Sequence, residues 1–483
     1  MKINPDITPA DLLPKIEKLW EISAAKIETL QKEYDHAKGS PVFTVNGKYT
    51  TRGWTEWTQG FEFGSEILQF DATGDEKFLK AGRENTVKFM APHVSHFGVH
   101  DHGFNNVSTY GNLLRLMNEG RIPENEWERN FYELALKLSG AAQARRWTPI
   151  ANGEGFIYSF NGPQSLFADT IRSLRALAVG FQLGHPLMEE NDRAISLLER
   201  LVQHARTTAD FTIYYGEGRD AFDIHGRTAH ESLFNVNDGN FRAPNSQQGF
   251  SPFTTWTRGL AWCIAGYPEE LEFLETLSDE AIAPVGGRAE IEGFMLKAAK
   301  ATCDFYLAHT SLDGIPYWDT GAPNLHKLGD YTQSKADPHN DIEPVDSSAA
   351  AIAAQGLIRL GRYLIRKETT GNQQPTTSNQ QPSTSNQQPT TSNQQPTTGN
   401  QYYQAGLTVL DTLFDEPYLS ADPNHHGLIL HSNYHLPRGW DNIPAGRKIA
   451  CDESCMWGDY HAREVALLVQ RLAKNEPYLK FFL

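Results

Sequence analysis

Four cysteines in 483 residues is a thin supply. Cys263 and Cys303 stand alone, and Cys451 and Cys455 are separated by one residue more than a redox pair uses. No second pair completes a zinc site. Free buried thiols are expected, and they suit a reducing compartment. No apolar run approaches the ~18 residues of a membrane span. The start, Met1-Lys2-Ile3-Asn4-Pro5-Asp6, lacks an apolar core of signal type. A cytoplasmic protein without a membrane partner is therefore expected. Positive charge is in deficit, with 43 Lys and Arg against 59 Asp and Glu and a net charge of −16. Nucleic acid requires Lys/Arg patches to displace counterions, which argues against it as a partner. An anionic substrate has to be held by local cations, because the global field repels it. Strand-like alternation is scarce and short.

What the chain does have is aromatics, at 11%, within 39% hydrophobic residues, enough for a sizeable core. From Asp11 to Ala37 the residues Leu12, Leu13, Ile16, Leu19, Trp20, Ile22 and Ile27 recur at helical spacing. Thr8-Pro9 supplies a cap and a first-turn proline. A helix–turn–helix unit then recurs: Asp75 to Met90 after Thr73-Gly74-Asp75, Glu189 to Thr207 after Leu183-Gly184-His185-Pro186, and Leu360 to Lys367 with Tyr402 to Phe414. Their unequal lengths exclude a strict solenoid period. Helical hairpins in series, joined by long aromatic and Gly-rich links, predict an all-α toroid whose links gather at one rim. The expected organisation is a single domain over 1–483, interrupted at about 369–401. There a seven-residue Thr/Ser/Asn/Gln/Pro unit repeats without charge or any apolar residue except proline. Such a segment cannot offset its ordering entropy, and a disordered surface loop is predicted.

Several stretches could carry chemistry. Gly98-Val99-His100-Asp101-His102-Gly103-Phe104 places an acid between two imidazoles, with His96 nearby. A metal knot, a structural His/Asp knot and a catalytic or substrate-binding acid all fit, but no second cluster supplies a matching ligand pair. Asp169 stands where a loop meets the run Thr170-Ile171-Arg172-Ser173-Leu174-Arg175. It is either a helix cap or a catalyst; buried, its pKa would rise and it could act as a general acid. Ser246 to Trp262 holds Gln247 and Gln248, then Trp256 and Trp262 around Arg258. That pattern reads as indole faces for a sugar ring with a guanidinium for a carboxylate, or as core tryptophans with an internal ion pair. His230 could add a hydroxyl contact. Asp346-Ser347 reads as a cap before the small-residue helix Ile352 to Leu360. Trp457-Gly458-Asp459-Tyr460 echoes Trp57-Thr58-Gln59-Gly60, each opening a helix after a polar loop.

Taken in order, these pieces resemble glycoside hydrolase family 88, the unsaturated glucuronyl hydrolases, from about Trp54 to Leu472. The matching stretches are Trp57-Thr58-x-Gly60-Phe61, His100-Asp101-x-Gly103-Phe104, the Asp169 helix start, Trp256-Thr257-Arg258-Gly259-x-Ala261-Trp262, Tyr317-Trp318-Asp319, Asp346-Ser347-Ser348-Ala349 and Trp457-Gly458-Asp459-Tyr460. The resemblance implies an (α/α)6 barrel. It implies a substrate oligosaccharide ending in a 4,5-unsaturated uronic acid, cleaved by acid-catalysed hydration of the C4=C5 vinyl ether. No cofactor and no metal are implied. Asp169 matches the general acid/base and Asp101 the supporting acid. Trp57, His100, Phe160, His230, Gln248, Trp256, Arg258 and Trp262 fall on substrate-contact positions, with Phe160 where the family has a tryptophan. Arg172 and Arg175 depart from the family run; they serve a sulfated or longer uronate, or balance Glu154 and Asp169. Two alternatives stay open. A sugar epimerase on a similar barrel would use paired histidines as acid and base, and a non-catalytic oligosaccharide-binding protein would need only the aromatics.

Overall fold

Two short stretches show how the helices are set. Thr8 accepts a bond from the Asp11 amide while the Asp11 carboxylate accepts from the Thr8 amide at 2.9 Å, a reciprocal cap. It starts a turn at Pro9–Leu12 that runs into the helix Leu13–Glu33. At Gly74, φ is +74°, a left-handed stop that ends Gln59–Thr73, and Asp75 then caps Glu76–Phe89. The computed structural model describes residues 1–52, 56–371 and 398–483. Gly53-Trp54-Thr55 and most of the low-complexity interruption, 372–397, lie outside the described residues.

Helices of two kinds alternate along the chain. The outer ones, in order, are Leu13–Glu33, Glu76–Phe89, Glu126–Arg145, Leu197–Phe211, Arg288–Ala308 and Thr398–Leu413. Each buries one stripe and exposes the other. The inner ones begin with Gln59–Thr73. The second runs through His102–Asn106, a π-helical turn Val107–Gly111 and Asn112–Asn118, and the third through Thr170–Ser173 and Arg175–Gln182. Thr257–Leu274, Ser347–Gly371 and Met456–Ala473 complete the set. Thr257–Leu274 is buried at every residue, as a helix covered on all sides must be. Each inner helix packs on the next, and the sixth returns to the first, so the ring closes as an (α/α)6 barrel. One hydrophobic core runs from Ile7 to Phe482. Among the described residues no helix is long and apolar enough to cross a membrane.

Two expectations are corrected in detail. The helix expected over Glu189 to Thr207 starts only at Leu197, because Pro186 and the left-handed Asn191 (φ +60°) make room for a hairpin pairing Leu187–Met188 with Ala194–Ile195. Of the low-complexity interruption expected at about 369–401, residues 372–397 lie outside the described residues; helices flank them, ending at Gly371 and starting at Thr398. Arg172 and Arg175 reach neither Glu154 nor a substrate position. They sit inside the ring, where Arg172 donates to Glu464 at 2.6 Å and Glu269 at 3.1 Å, and Arg175 to Glu269 at 3.0 Å. Glu154 instead pairs with Arg206 at 3.2 Å.

Removing one member of a buried ion lattice leaves its partners uncompensated. Glu269→Ala is expected to destabilise the fold by about 3–5 kcal/mol. Glu292→Ala, which loses only partly exposed pairs with Arg288 and Lys367, should cost less than about 1 kcal/mol. Denaturant unfolding of both variants checks the contrast; equal losses would refute it.

Candidate active site

At one rim, strand Ser165–Phe167 pairs antiparallel with Glu231–Phe234, which pairs with Phe241–Asn245. This small sheet delivers Asp169 to the start of the third inner helix, and the Ala168 amide donates to the His230 carbonyl at 2.9 Å. Asp169 occupies the N-cap position, but its side chain makes no capping bond. Its Oδ2 lies 3.0 Å from His100 Nε2. Asp101 Oδ1 lies 3.7 Å from the same nitrogen. The His100 carbonyl is fixed by Ser173 Oγ (2.7 Å) and Gln143 Nε2 (2.9 Å). Gly103 approaches so closely that a Cβ there would stand 2.2 Å from the Ser173 carbonyl. The second and third inner helices thus hold the acid–imidazole–acid cluster in one arrangement.

These groups line one side of a cleft of about 590 Å³. Aromatic faces supply its walls: Trp57, Phe104, Phe160, Trp256, Trp262, Tyr434 and Trp440. Trp57 stacks on Trp457 at 4.8 Å, so the two echoing helix starts meet in space. Phe160 stacks on His100 at 5.9 Å. Gln247, Gln248, His435 and Arg438 complete the polar lining. His230 stands behind Trp256, edge-on at 4.8 Å, and its Nδ1 accepts from the Gln247 amide at 2.9 Å. The ring proton of neutral His230 therefore sits on Nε2, which has no hydrogen-bond partner among the described residues.

Arg258 departs from the carboxylate-clamp reading. Its guanidinium is buried and already held: Nη1 donates to Asp346 (2.9 Å) and the Asn433 carbonyl, Nη2 to Gln248 (3.1 Å) and the Tyr434 carbonyl (2.7 Å). The internal ion pair is the arrangement adopted. Asp346 also caps the fifth inner helix through the Ser348 amide at 3.0 Å. His102 points away from the cleft, between Ser139 Oγ and the His96 carbonyl, both at 3.0 Å, and burial brings its pKa down to about 4.

Burial resists charge on both His100 and Asp169, but their mutual attraction outweighs it. Asp101 and then Asp169 hold the His100 imidazole above its ordinary value. The bond and charge of His100 hold Asp169 below the usual carboxylate range. The direction expected for Asp169, a raised pKa, is thereby reversed. His230, opposed by burial, falls to about 4 and stays neutral. Donor atoms of His100, Asp101 and Asp169 lie within 4.8 Å of one another, as do those of His339, His431 and Asp452, so either trio has the spacing of a metal site.

Sequence reasoning passed over two contributors. Tyr434, His435, Arg438 and Trp440 come from one loop whose density of rings and Gly/Pro was the available signal. Arg146, whose charge bears on Asp101, donates to the carbonyls of Tyr158 (3.0 Å), Ser159 (2.7 Å) and Phe97. No local pattern marked it.

A closed double ring of helices with paired acids in an aromatic cleft defines the class: a helical-barrel glycoside hydrolase. No family model matches the chain. It is 24% identical over 434 residues to an unsaturated glucuronyl hydrolase of Formosa agariphila, covering 86% of this chain and 80% of that one. It is 24% identical over 436 residues to the unsaturated glucuronyl hydrolase of Bacillus sp. strain GL1, covering 88% and 89%. The crystal structure of the Bacillus sp. GL1 enzyme superposes with a TM-score of 0.64 at 22% identity, covering 94% of this chain and 96% of that one. An aspartate-to-asparagine mutant of the unsaturated glucuronyl hydrolase from Streptococcus agalactiae, complexed with dGlcA-GalNAc6S, gives a TM-score of 0.61 at 17% identity over 100% of both chains. Along most of its length the chain is thus similar in sequence and in fold to unsaturated glucuronyl hydrolases, the family that its motifs resemble.

Because Asp101 contributes most to the raised His100 pKa, Asp101→Asn should lower it. The imidazole resonances of His100, followed by NMR across pH, should then titrate at lower pH than in the parent. An unchanged or higher midpoint would refute the electrostatic assignment.

Proposed function

We propose that the protein hydrolyses oligosaccharides whose non-reducing end is a 4,5-unsaturated uronic acid, by hydration of the C4=C5 vinyl ether, with Asp169 as proton donor. The observation that carries this reading is the placement of two carboxylates within 4.8 Å, bridged by one charged imidazole, at an aromatic-walled cleft. Inverting glycosidases need roughly 6.5–9.5 Å between their acids to admit a water. This pair is too close for that, and suits a site where one carboxyl takes a proton under the influence of the other.

The uronate carboxylate enters and excludes water, which raises the affinity of Asp169 for a proton. The proton crosses from His100 Nε2 to Asp169 Oδ2. Asp169 then delivers it to C4, and positive charge develops at C5 and the ring oxygen. Water adds at C5 and returns a proton to Asp169. The resulting hemiketal opens and releases the partner sugar together with the uronate. Asp101 and His100 position the sugar and hold the proton, while Trp57, Phe160, Trp256 and Trp262 present ring faces to it. Gln248 offers a polar contact, His230 backs Trp256, and Arg258 acts by holding Gln248 and the 433–434 backbone. An epimerase needs two histidines titrating near neutrality; His230, held near 4 with Nδ1 occupied, is unsuited to that. The four cysteines are free and buried, in keeping with the reducing, cytoplasmic compartment in which we place the protein.

Loss of the enol-ether absorbance of an unsaturated uronyl disaccharide, with release of its partner sugar, is the expected result. No loss across glycosaminoglycan, ulvan, gellan and pectin lyase products would sink the reading. Asp169→Asn should lower kcat by about 10²–10⁴-fold with melting unchanged; near-normal turnover would remove Asp169 from the role.

A further inference from the structure

The third outer helix, Glu126–Arg145, has two apolar faces where the barrel needs one. Tyr132, Ala135, Leu136 and Ser139 face inward and are buried. On the opposite side Trp127, Phe131, Leu134 and Leu138 are 86%, 41%, 55% and 46% exposed. Their 4-3-4 spacing is that of a coiled-coil seam. Among the described residues, the other outer helices expose one large hydrophobic residue in all, Val87. Met188, 54% exposed, adds to the patch from a strand that packs on this helix.

We propose that this face is where a second copy of the chain docks, giving a two-fold dimer. Taking roughly 200 Å² for each large side chain, the five residues expose on the order of 500–600 Å². A standard interface buries about 800 Å² per partner with an apolar core near 65%, so the patch has the size that one such core requires. A two-fold contact needs a self-complementary surface, and an apolar seam meets itself without penalty. Several flanking charges are already paired within the chain; Glu126 and Arg145, at the two ends of the helix, form no ion pair among the described residues. Arg129 pairs with Glu124 at 2.6 Å, Lys137 with Glu133 at 3.5 Å and Arg83 with Glu128 at 3.5 Å. Two molecules of net charge −16 therefore meet here over a face whose central charges, those of Arg129, Glu133 and Lys137, are paired within each chain. The chain's own undescribed stretch is a poor occupant: residues 372–397 hold only Asn, Gln, Pro, Thr and Ser, and they join the fifth inner helix to the sixth outer one, across the ring.

Sedimentation velocity of the full chain at micromolar concentration should give twice the 54.2 kDa of one chain. Leu134→Glu should return it to 54.2 kDa with its far-UV spectrum and melting temperature unchanged. Trp127→Gln, at the most exposed position, is the second variant should Leu134→Glu fold poorly, and it should weaken the dimer at least tenfold. A parent chain that stays monomeric at every concentration overturns the proposal, as does a dimer that persists unweakened in both variants.

Discussion

Arg172 and Arg175 are the constraint on which the ring depends. Both guanidiniums are buried, and a buried unpaired charge costs several kcal/mol. Their carboxylates, Glu269 and Glu464, come from the fourth and sixth inner helices, so three of the six inner elements are tied at one place. Arg359 of the fifth inner helix joins through Glu272 at 2.7 Å. Hydrophobic packing alone tolerates sliding and rotation of small-residue helices. A charge lattice with fixed donors and acceptors does not, because any other register strands an ion in the core. Arg172 lies three residues after Asp169 and 6.0 Å from the Trp262 ring. The register that satisfies the lattice is therefore also the one that sets the acid and one wall of the cleft.

The same device recurs at the rim, with backbone as the partner. Arg258 joins the fourth inner helix to the cap of the fifth through Asp346 and to the 433–434 backbone through two carbonyls. Arg146 draws the segments ending at Phe97 and Ser159 together beside Asp101. Loops that leave a toroid in six places have little core of their own. Guanidiniums saturated by carbonyls give them one geometry and leave the cleft open between them.

The parts legible in the sequence were those with a short-range signature. Helical periodicity, capping pairs and the Gly74 stop marked the hairpins, and ordered aromatic and acidic motifs marked Asp101, Trp57, Trp256 and Trp262 as neighbours. Long-range pairing was not legible. Arg258 between two tryptophans has the composition of a carboxylate clamp, and only the fold shows Asp346 and two carbonyls arriving from 88 and 175–176 residues away to fill it. Asp169 after a loop has the composition of a cap, and only the fold brings His100 to its Oδ2 in place of a backbone amide. The rim strand before Asp169 spans three residues, Ser165–Phe167, too few for alternation to register. The raised pKa expected for Asp169 followed from burial alone; the cation that reverses it lies 69 residues away.

The charge at the cleft explains how such a site can take a uronate in a chain so acidic. Arg146 and His100 stand as the cationic partners of Asp101 and Asp169. An incoming carboxylate has no spare counter-charge among these four groups, and Arg258 is committed to Asp346. Among the described residues lining the cleft, Arg438 is the cation that forms no salt bridge; it lies at the cleft over Trp440, 5.2 Å from the ring. Its attraction is screened by solvent and is modest. The remaining compensation has to come from protons. Burial already opposes charge on the Asp169 carboxyl, and His100 is the main group that holds it ionised. On the proposed mechanism, binding an anion weakens that hold and so couples substrate entry to protonation of Asp169.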